Sequence, residues 1–309
     1  MNQSLRIASL LPSATEIICA LGLEEQLVGI SHECDFPVSV RSLPAVTASA
    51  ISNDLSSGDI DAQVREHLQS NAALYTIDGD IVSKLAPDLI VTQALCDVCA
   101  VSAADVAAVA CELTQVAEVI NLEPACLQDV FDTIHAVGVA TGAEPSAASL
   151  VAGLKDRLQA VQRRSAVIDA ASKPSVVMLE WLDPPFNAGH WTPELVEYAG
   201  GEALLSSPGQ PSTTIAWDQV RDTNPALLVI ACCGFNIERT RRDIEVLQDT
   251  TWWKSLQSVA TRSVYVIDGN QYFNRPGPRL IDSLEILAHI LHPALHPLPP
   301  ALNNTFVRI

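Results

Sequence analysis

The sequence predicts an α/β protein of two lobes, each with a parallel-sheet core, joined by a single long α-helix, with a ligand cleft between the lobes. Short apolar runs bounded by turn residues alternate with helical patterns, an order typical of parallel sheets covered by helices. Between Ser146 and Ile168 the pattern becomes purely helical, which predicts a rigid connector. One sequence pattern also recurs in both halves of the chain, which favours two lobes of similar construction.

The first half of the chain follows a β-α-β order. Arg6–Leu11 predicts a strand, and the helix expected at Ala14–Leu21 has Ser13 as its candidate N-cap, with Glu16 three residues later. The further elements expected here are strands at Leu27–Ser31, at Leu89–Thr92 and ending at Ile120, and helices at Asp61–Asn71 and Leu127–Thr141.

A second α/β series begins after the connector. The predicted domain limits are an N-terminal lobe at residues 1–143, a connecting helix at 144–170 and a C-terminal lobe at 171–309. The Pro-rich tail from His292 is expected to pack irregularly. The elements expected in the second lobe are strands at Ser175–Leu179, Ala226–Ala231 and Ser263–Ile267, and helices at Pro193–Tyr198 and Pro278–Leu291.

The repeated pattern consists of a helix end, a proline turn and a buried strand. It occurs at Leu85–Thr92 and again at Asp222–Ile230, and each copy leads into a segment with two cysteines. Ligands of open parallel sheets bind beyond the carboxyl ends of the strands. Equivalent strand ends in two lobes would therefore lie on opposite walls of one cleft.

Composition excludes several classes of function. The 309 residues are 48% hydrophobic and 17% charged, with a formal net charge of −18. A protein that binds nucleic acid needs a basic surface, so this class is not expected. The longest apolar runs are too short for a transmembrane helix, so membrane insertion is not expected either.

The N-terminus bears on the expected location. Met1–Leu5 carries no basic residue, and the apolar run from Ile7 is interrupted by Pro12 and Glu16, unlike a signal peptide. A cytoplasmic protein is therefore expected from the sequence as given. The alternative is a periplasmic protein whose export signal has been removed or mis-annotated.

Seven segments carry a resemblance to a known family, and they occur in the family's order over nearly the whole chain. They are Arg6–Glu16, Val28–His32, Ala86–Val91, Pro184–Gly189, Glu197–Glu202, Ile215–Val220 and Tyr272–Arg279. The chain resembles the cobalamin- and iron-chelate-binding proteins of ABC importers, the helical-backbone class of periplasmic substrate-binding proteins.

The resemblance implies a function and partners. It implies a monomeric solute-binding protein that holds a cobalamin-like compound, a metal chelate or a metal between its lobes. The ligand would be delivered to an ABC permease or handled inside the cell. No cofactor is assigned with certainty, and a bound corrinoid or transition metal is the candidate.

The family's functional positions can be transferred one at a time. Phe186, Phe273 and Arg275 match pocket positions, and Arg275 is suited to anchor a carboxylate or phosphate. Glu33 and Gln93 replace aromatic residues that cover the corrin ring in cobalamin binders, as do Leu74 and Ser212. A ligand smaller or more polar than intact cobalamin is therefore expected. An extra segment, Ile51–Tyr75, is expected to reshape one wall of the cleft.

Permease docking is a further implication of the resemblance. Members of the family use one acidic residue on each lobe to contact arginines of the permease. Asp80 and Asp218 occupy these positions.

Several cysteines are candidate metal ligands. His32 and Cys34 alternate in a loop after a strand and could share one face, with a cap and a salt-bridged turn as the alternative. Cys96 and Cys99 have the spacing of a zinc or redox pair, and Cys232 could join them if the fold brings it near. Inert packing is the alternative for all of these thiols.

The segment from Glu180 to Trp191 is the most distinctive of the chain. It contains aromatic and polar side chains in a loop with Pro-Pro and Gly, which indicates contact with a ligand. The ligand-binding candidates from this segment and beyond it are Glu180, Trp181, Phe186, His190, Trp191 and Phe235.

Three classes of function remain open from the residues alone. The first is a binding protein, in which no residue is catalytic. The second is a cytosolic enzyme that uses the same cleft with thiol or metal groups, although no nucleophile elbow, P-loop or dinucleotide motif supports it. The third is a cytosolic sensor or metallochaperone.

Overall fold

The structure is a computed structural model that describes residues 4–70, 72–93, 106, 109–110 and 117–309. Two compact units divide the chain. The first contains residues 1–55, 59–124 and 128–152, and the second contains residues 56–58, 125–127 and 153–309. The division after residue 152 lies inside one long helix, within the segment predicted as the connector.

The first unit is built on a parallel four-stranded sheet in the order β2-β1-β5-β6. Its central strands are apolar and buried, because helices cover them, whereas β6 is a largely exposed edge. The strands are β1 (Ile7–Ser9), β2 (Leu27–Ile30), β3 (Thr47–Ser49), β4 (Tyr75–Ile77), β5 (Leu89–Thr92) and β6 (Glu118–Asn121), with β3 and β4 forming a separate antiparallel pair.

Helices of the first half connect these strands. They are α1 (Pro12–Ala20), α2 (Ser57–Ser70), α3 (Gly79–Leu85), α4 (Leu127–Thr141) and the long α5 (Glu144–Ser165). The first residues of α2 and α4 belong to the second unit, and α5 contributes residues to both units. Gly138 of α4 lies so close to α5 that an added Cβ would be 2.5 Å from the Cβ of Ala147.

The predicted cap of α1 is wrong. The helix begins at Pro12, and Leu11 is an extended N-cap without a side-chain hydrogen bond. Ser13 lies inside the first turn and is buried. Proline at the first helical position supplies a suitable φ angle and lacks only an N–H that would have no helical partner there.

The second unit contains a six-stranded sheet whose central strands β7, β10 and β11 are parallel. The strands are β7 (Ser175–Leu182), β8 (Pro185–Asn187), β9 (Glu202–Leu204), β10 (Leu227–Ile230), β11 (Val264–Ile267) and β12 (Phe306–Arg308). The helices are α6 (Thr192–Tyr198), α7 (Trp217–Thr223), α8 (Ile237–Gln248), α9 (Thr251–Ser255), α10 (Gln257–Ala260) and α11 (Leu280–Leu291).

Antiparallel strands at the edges modify this parallel core. β8 folds back along β7, and the prediction of an irregular tail is wrong in part because β12 pairs antiparallel with β11. The short alternation in Phe306–Arg308 gave too weak a signal, whereas backbone pairing with β11 satisfies groups that would otherwise lie at an open edge.

An ion-pair cluster fixes the later part of α5 to α11 within the second unit. Arg157 donates to Glu285 through Nε at 3.0 Å and through Nη2 at 2.8 Å, and Nη2 also lies 2.5 Å from Asp282. In the described part of the chain, no helix combines the length and the apolar character that crossing a bilayer requires.

Candidate functional site

Polar side chains lie at the carboxyl edge of the parallel sheet of the first unit. His32 follows β2 after one residue, and Gln93 follows β5 directly. Both strands run parallel to β1, which lies between them, so their ends meet at one edge of the sheet. His32 is half-buried and Gln93 is buried. We call His32, Glu33 and Gln93 the first face.

A hydrogen-bond chain sets the orientation of His32. The hydroxyl of Thr47, on β3, donates to Ser31 Oγ at 3.1 Å and lies 2.7 Å from Nδ1 of His32. A hydroxyl has one proton, so Thr47 Oγ1 must accept from His32, and Nδ1 therefore carries the imidazole proton. The ring also lies 5.8 Å from the ring of Tyr75.

This tautomer leaves a lone pair on Nε2. Nε2 lies 3.4 Å from Glu33 Oε1 without a hydrogen bond, and Glu33 also accepts a 3.4 Å bond from Asn53. A lone pair facing a carboxylate is unfavourable unless a proton or another cation lies between them. The first face is therefore suited to bind a cationic or proton-donating group.

Cys34 has partners different from those of His32. Its Sγ lies 3.0 Å from Thr15 Oγ1, which donates to Ser9 Oγ at 2.8 Å. The side chain is buried beside Cys19, whose pKa burial raises to about 12. His32 is instead hydrogen-bonded to Thr47, so the structure does not show the shared face expected of His32 and Cys34.

Metal ligation by the cysteines stays a prediction. Within the ranges that the structure describes, no three His, Cys, Asp or Glu side chains are grouped to hold a metal ion. Cys96 and Cys99 lie outside the described residues. Cys232 is fully buried, and burial raises the pKa of its thiol far above the ordinary value, which disfavours the thiolate that metals bind.

Aromatic side chains lie at the carboxyl end of β7 in the second unit. Glu180 and Trp181 lie just before the last residue of this strand, Leu182, and Phe186 on β8 is the antiparallel neighbour of Trp181. The rings of Trp181 and Phe235 are 4.8 Å apart. Glu180, Trp181, Phe186 and the nearby His190 are half-buried, so they have surface to offer a ligand. We call these four residues the second face.

The other candidates of the second unit are buried. Trp191 donates from Nε1 to the carbonyl oxygen of Phe273 at 2.7 Å, and both side chains are nearly inaccessible. Arg275 is 7% exposed and donates to Asn270 Oδ1 at 2.9 Å. Phe235 is also buried. In this structure these groups support the second face rather than extend it.

His190 links the half-buried second face, to which it belongs, to the buried Trp191. Its ring is stacked on Trp191 with the centroids 5.4 Å apart, and its φ angle is 53°. Burial lowers the pKa of His190, so its imidazole is neutral at neutral pH. A neutral imidazole offers one donor and one acceptor to a ligand.

Asp80 and Asp218 occupy matching positions in the two units. Each is the second residue of a seven-residue helix, α3 or α7, and each is exposed. Ala86 and Asn224 end these helices with φ angles of 42° and 43°, each is followed by proline, and a four-residue strand begins three positions later. We call each of these helices, together with the turn and strand that follow it, an Asp-helix module (residues 79–92 and 217–230).

Sequence reasoning missed residues that orient the faces. Thr47 orients His32, Asn270 bonds Arg275, and Arg239 lies with its guanidinium carbon 4.3 Å from the Phe235 ring centroid. Asn270, close to Tyr272–Arg279, lay near a motif that could have indicated it. Thr47 lies in a short strand with no distinctive pattern.

Comparison with known proteins agrees with the fold. Residues 7–271 match the model of the family described as periplasmic binding protein. An uncharacterized ABC transporter substrate-binding lipoprotein, YvrC of Bacillus subtilis, is 24% identical over 93% of this chain and 80% of its own length. The vitamin B12-binding protein of Vibrio cholerae is 23% identical over 91% of this chain and 86% of its own.

A solved structure extends the likeness to three dimensions. The periplasmic heme binding protein of Pseudomonas aeruginosa superimposes with a TM-score of 0.74 at 18% identity, covering 97% of each chain. At this identity the likeness supports the fold alone. One of these relatives is named as a substrate-binding lipoprotein of an ABC transporter and the other as a vitamin B12-binding protein, and neither name is that of an enzyme. The family model spans most of the sequence, and the chain therefore belongs to the periplasmic binding protein family.

Proposed function

We propose that the protein binds a cobalamin-like compound, a metal chelate or a metal ion and delivers it to an ABC-type permease. The observation that carries this proposal is the position of the predicted ligand residues at the carboxyl ends of parallel strands in each unit. A relative named as a vitamin B12-binding protein supports the ligand class.

The chemistry of the two faces narrows the class of ligand that we expect. The first face presents the half-buried His32 ring and Glu33 carboxylate, with the covered Nε2 of His32 and the buried amide of Gln93 behind them. The second face offers the rings of Trp181 and Phe186 beside the neutral His190. We expect a ligand with one apolar, flat surface and several polar or cationic groups, more polar than intact cobalamin.

A ligand that contacts both faces stays a prediction. If one ligand binds both, then His32→Ala and Trp181→Ala should each weaken its binding. If only one substitution has an effect, the ligand occupies one unit alone. Binding of an added probe by isothermal calorimetry distinguishes these outcomes.

The Asp-helix modules support delivery to a permease. The proposed role of Asp80 and Asp218 is to pair with basic side chains of the permease, one on each unit. Both carboxylates are solvent-exposed, so a basic side chain of a partner can reach them. A monomer is sufficient for this arrangement and is the state we propose.

The proposed location follows the family. Periplasmic binding proteins deliver ligands from outside the cytoplasmic membrane, so we propose the periplasmic alternative of the two locations considered from the sequence. Immunodetection after osmotic-shock fractionation of the native host tests this. Recovery of the protein in the cytoplasmic fraction alone would contradict periplasmic function and favour intracellular handling.

The ligand itself can be identified directly. We would purify the protein from its native host without chelators, then apply native mass spectrometry and elemental analysis. A bound mass with stoichiometric cobalt or iron would support the proposal. Apo protein that binds neither cyanocobalamin, haemin nor ferric citrate in calorimetric titrations would count against it.

A further inference from the structure

The beginning of α2 contacts the indole of Trp181 within the second unit. The Nε1–H of Trp181 is shared between two backbone carbonyl oxygens, that of Asp183 at 3.1 Å and that of Ser57 at 3.2 Å. Indole has this one donor and no acceptor. With the donor engaged, Trp181 can offer a ligand only its ring.

Gly58 allows this approach. A Cβ added at Gly58 would lie 2.6 Å from Oδ2 and 3.2 Å from Cγ of Asp183. A side chain at position 58 must therefore displace the carboxylate of Asp183, the residue whose carbonyl oxygen also accepts from Trp181. Ser57 is 2% exposed, so the start of α2 is fixed by packing as well.

The contact comes from an unusual part of the chain. Residues 56–58 are assigned to the second unit, although the residues on either side of them belong to the first. They lie in Ile51–Tyr75, the segment that the resemblance predicts to be extra. The contact with Trp181 therefore comes from this segment.

The Phe235 ring packs against the Trp181 indole as well. The Phe235 ring lies 4.8 Å from the indole at an angle of 40°, and Arg239 lies over the Phe235 ring. Trp181 is thereby held at its N–H edge by backbone oxygens and beside its ring by Phe235. Fixed side chains lose less conformational entropy when a ligand binds.

We propose that residues Ser57 and Gly58 are positioning residues for the second face, which hold the Trp181 ring in the orientation that a ligand contacts. This role presupposes the binding function proposed above. It predicts that disturbing position 58 weakens ligand binding without lowering the stability of the fold.

The test uses the substitution Gly58→Ala in the full chain. Trp181→Phe identifies the Trp181 indole resonance among those of the five tryptophans in ¹⁵N-labelled protein. In Gly58→Ala we expect this resonance to shift and its N–H to exchange with solvent severalfold faster. The matched control is Gly153→Ala on α5, where an added Cβ has nothing within 4 Å.

Rescue separates positioning from general damage. In the double variant Gly58→Ala/Asp183→Ala, the nearest remaining Asp183 atom is Cβ at 3.9 Å, an ordinary contact. The indole resonance and its exchange should return toward those of Asp183→Ala alone. Thermal melting of each variant shows whether the fold is retained.

Binding of the probes haemin and cyanocobalamin measures the functional consequence. For a probe that the parent protein binds, Gly58→Ala and Trp181→Phe should weaken binding roughly three- to tenfold, and Gly153→Ala should not. Unchanged indole exchange in Gly58→Ala would overturn the positioning contact. Altered exchange with unchanged affinity would overturn its role in binding. A parent that binds neither probe contradicts the proposed function, while the exchange experiment still decides the contact.

Discussion

Thr47 Oγ1 accepts the Nδ1 proton of His32 at 2.7 Å and thereby leaves Nε2 as a Lewis base. The two residues come from different elements, since His32 follows β2 and Thr47 begins β3. The orientation of a candidate ligand-binding histidine is therefore set by a residue fifteen positions away.

Removing this hydroxyl should impair the first face. Thr47→Val keeps the shape of the side chain but removes the acceptor, so the His32 ring loses its fixed tautomer. We expect roughly tenfold weaker binding of a metal-containing probe such as haemin, because partners of ligating histidines commonly contribute this much. Thr47→Ser, which retains a hydroxyl, is the control. Equal losses in both variants would refute the tautomer argument.

The carboxylates of the Asp-helix modules should matter for delivery and not for binding. Asp80→Asn and Asp218→Asn are expected to leave ligand affinity unchanged, because both residues are exposed on helices. Each should reduce cellular uptake of the ligand several-fold, and the double variant should reduce it further. Asp249→Asn, at a side chain 97% exposed beyond α8, is the control. Normal uptake in the double variant would disprove docking through these residues.

The ion-pair cluster of Arg157 should stabilise the second unit. Arg157→Gln leaves Asp282 and Glu285 as neighbouring carboxylates, so we expect a loss of about 1–2 kcal/mol at pH 7, limited by the solvent exposure of the pair. Burial raises the pKa of Asp282 despite the attraction of Arg157. Acidification should therefore protonate Asp282 early and shrink the loss. Urea unfolding at pH 7 and pH 4 measures both effects.

Arg65→Gln is the control for this cluster. Arg65 pairs with Asp61 one turn away on the surface of α2, so its removal should change the free energy of unfolding little. A loss as large as that of Arg157→Gln would show that the position of the cluster between α5 and α11 is unimportant.

Buried histidines should make stability depend on pH. Burial lowers the pKa of His296, and the nearby Arg164, His289 and His292 lower it further. Its Nε2 lies 3.2 Å from Ser165 Oγ, at the end of α5. The unfolded chain takes up the proton at a higher pH than the folded chain, so stability is full above the ordinary histidine pKa of about 6.5 and falls below it.

His296→Gln should flatten this pH dependence. The free energy of unfolding, measured between pH 7.5 and pH 5, should fall less in the variant than in the parent. His135→Gln, at an exposed position of α4, is the control and should leave the slope unchanged. A parent whose stability does not decrease between pH 7 and pH 5 would contradict the prediction.

Local sequence patterns determined the order of elements in this protein. The buried strand Leu89–Thr92 and the helix Leu127–Thr141 form with the predicted bounds, because apolar periodicity and proline turns act over a few residues. The same patterns identified the long helix α5 and the repeated helix end, proline turn and buried strand. Motifs spread along the chain were enough to indicate the family, since their order is kept even where each is short.

Tertiary structure alone decided which side chains work together. Trp191 and Phe273 have the composition of ligand residues but are buried, whereas Trp181 and Phe186 remain half-exposed. Ser57 accepts a hydrogen bond from Trp181, which lies 124 positions further along the chain. The strand β12 pairs with β11 although an irregular tail precedes it. Such contacts depend on long-range packing and backbone pairing, whose partners a local sequence pattern does not specify.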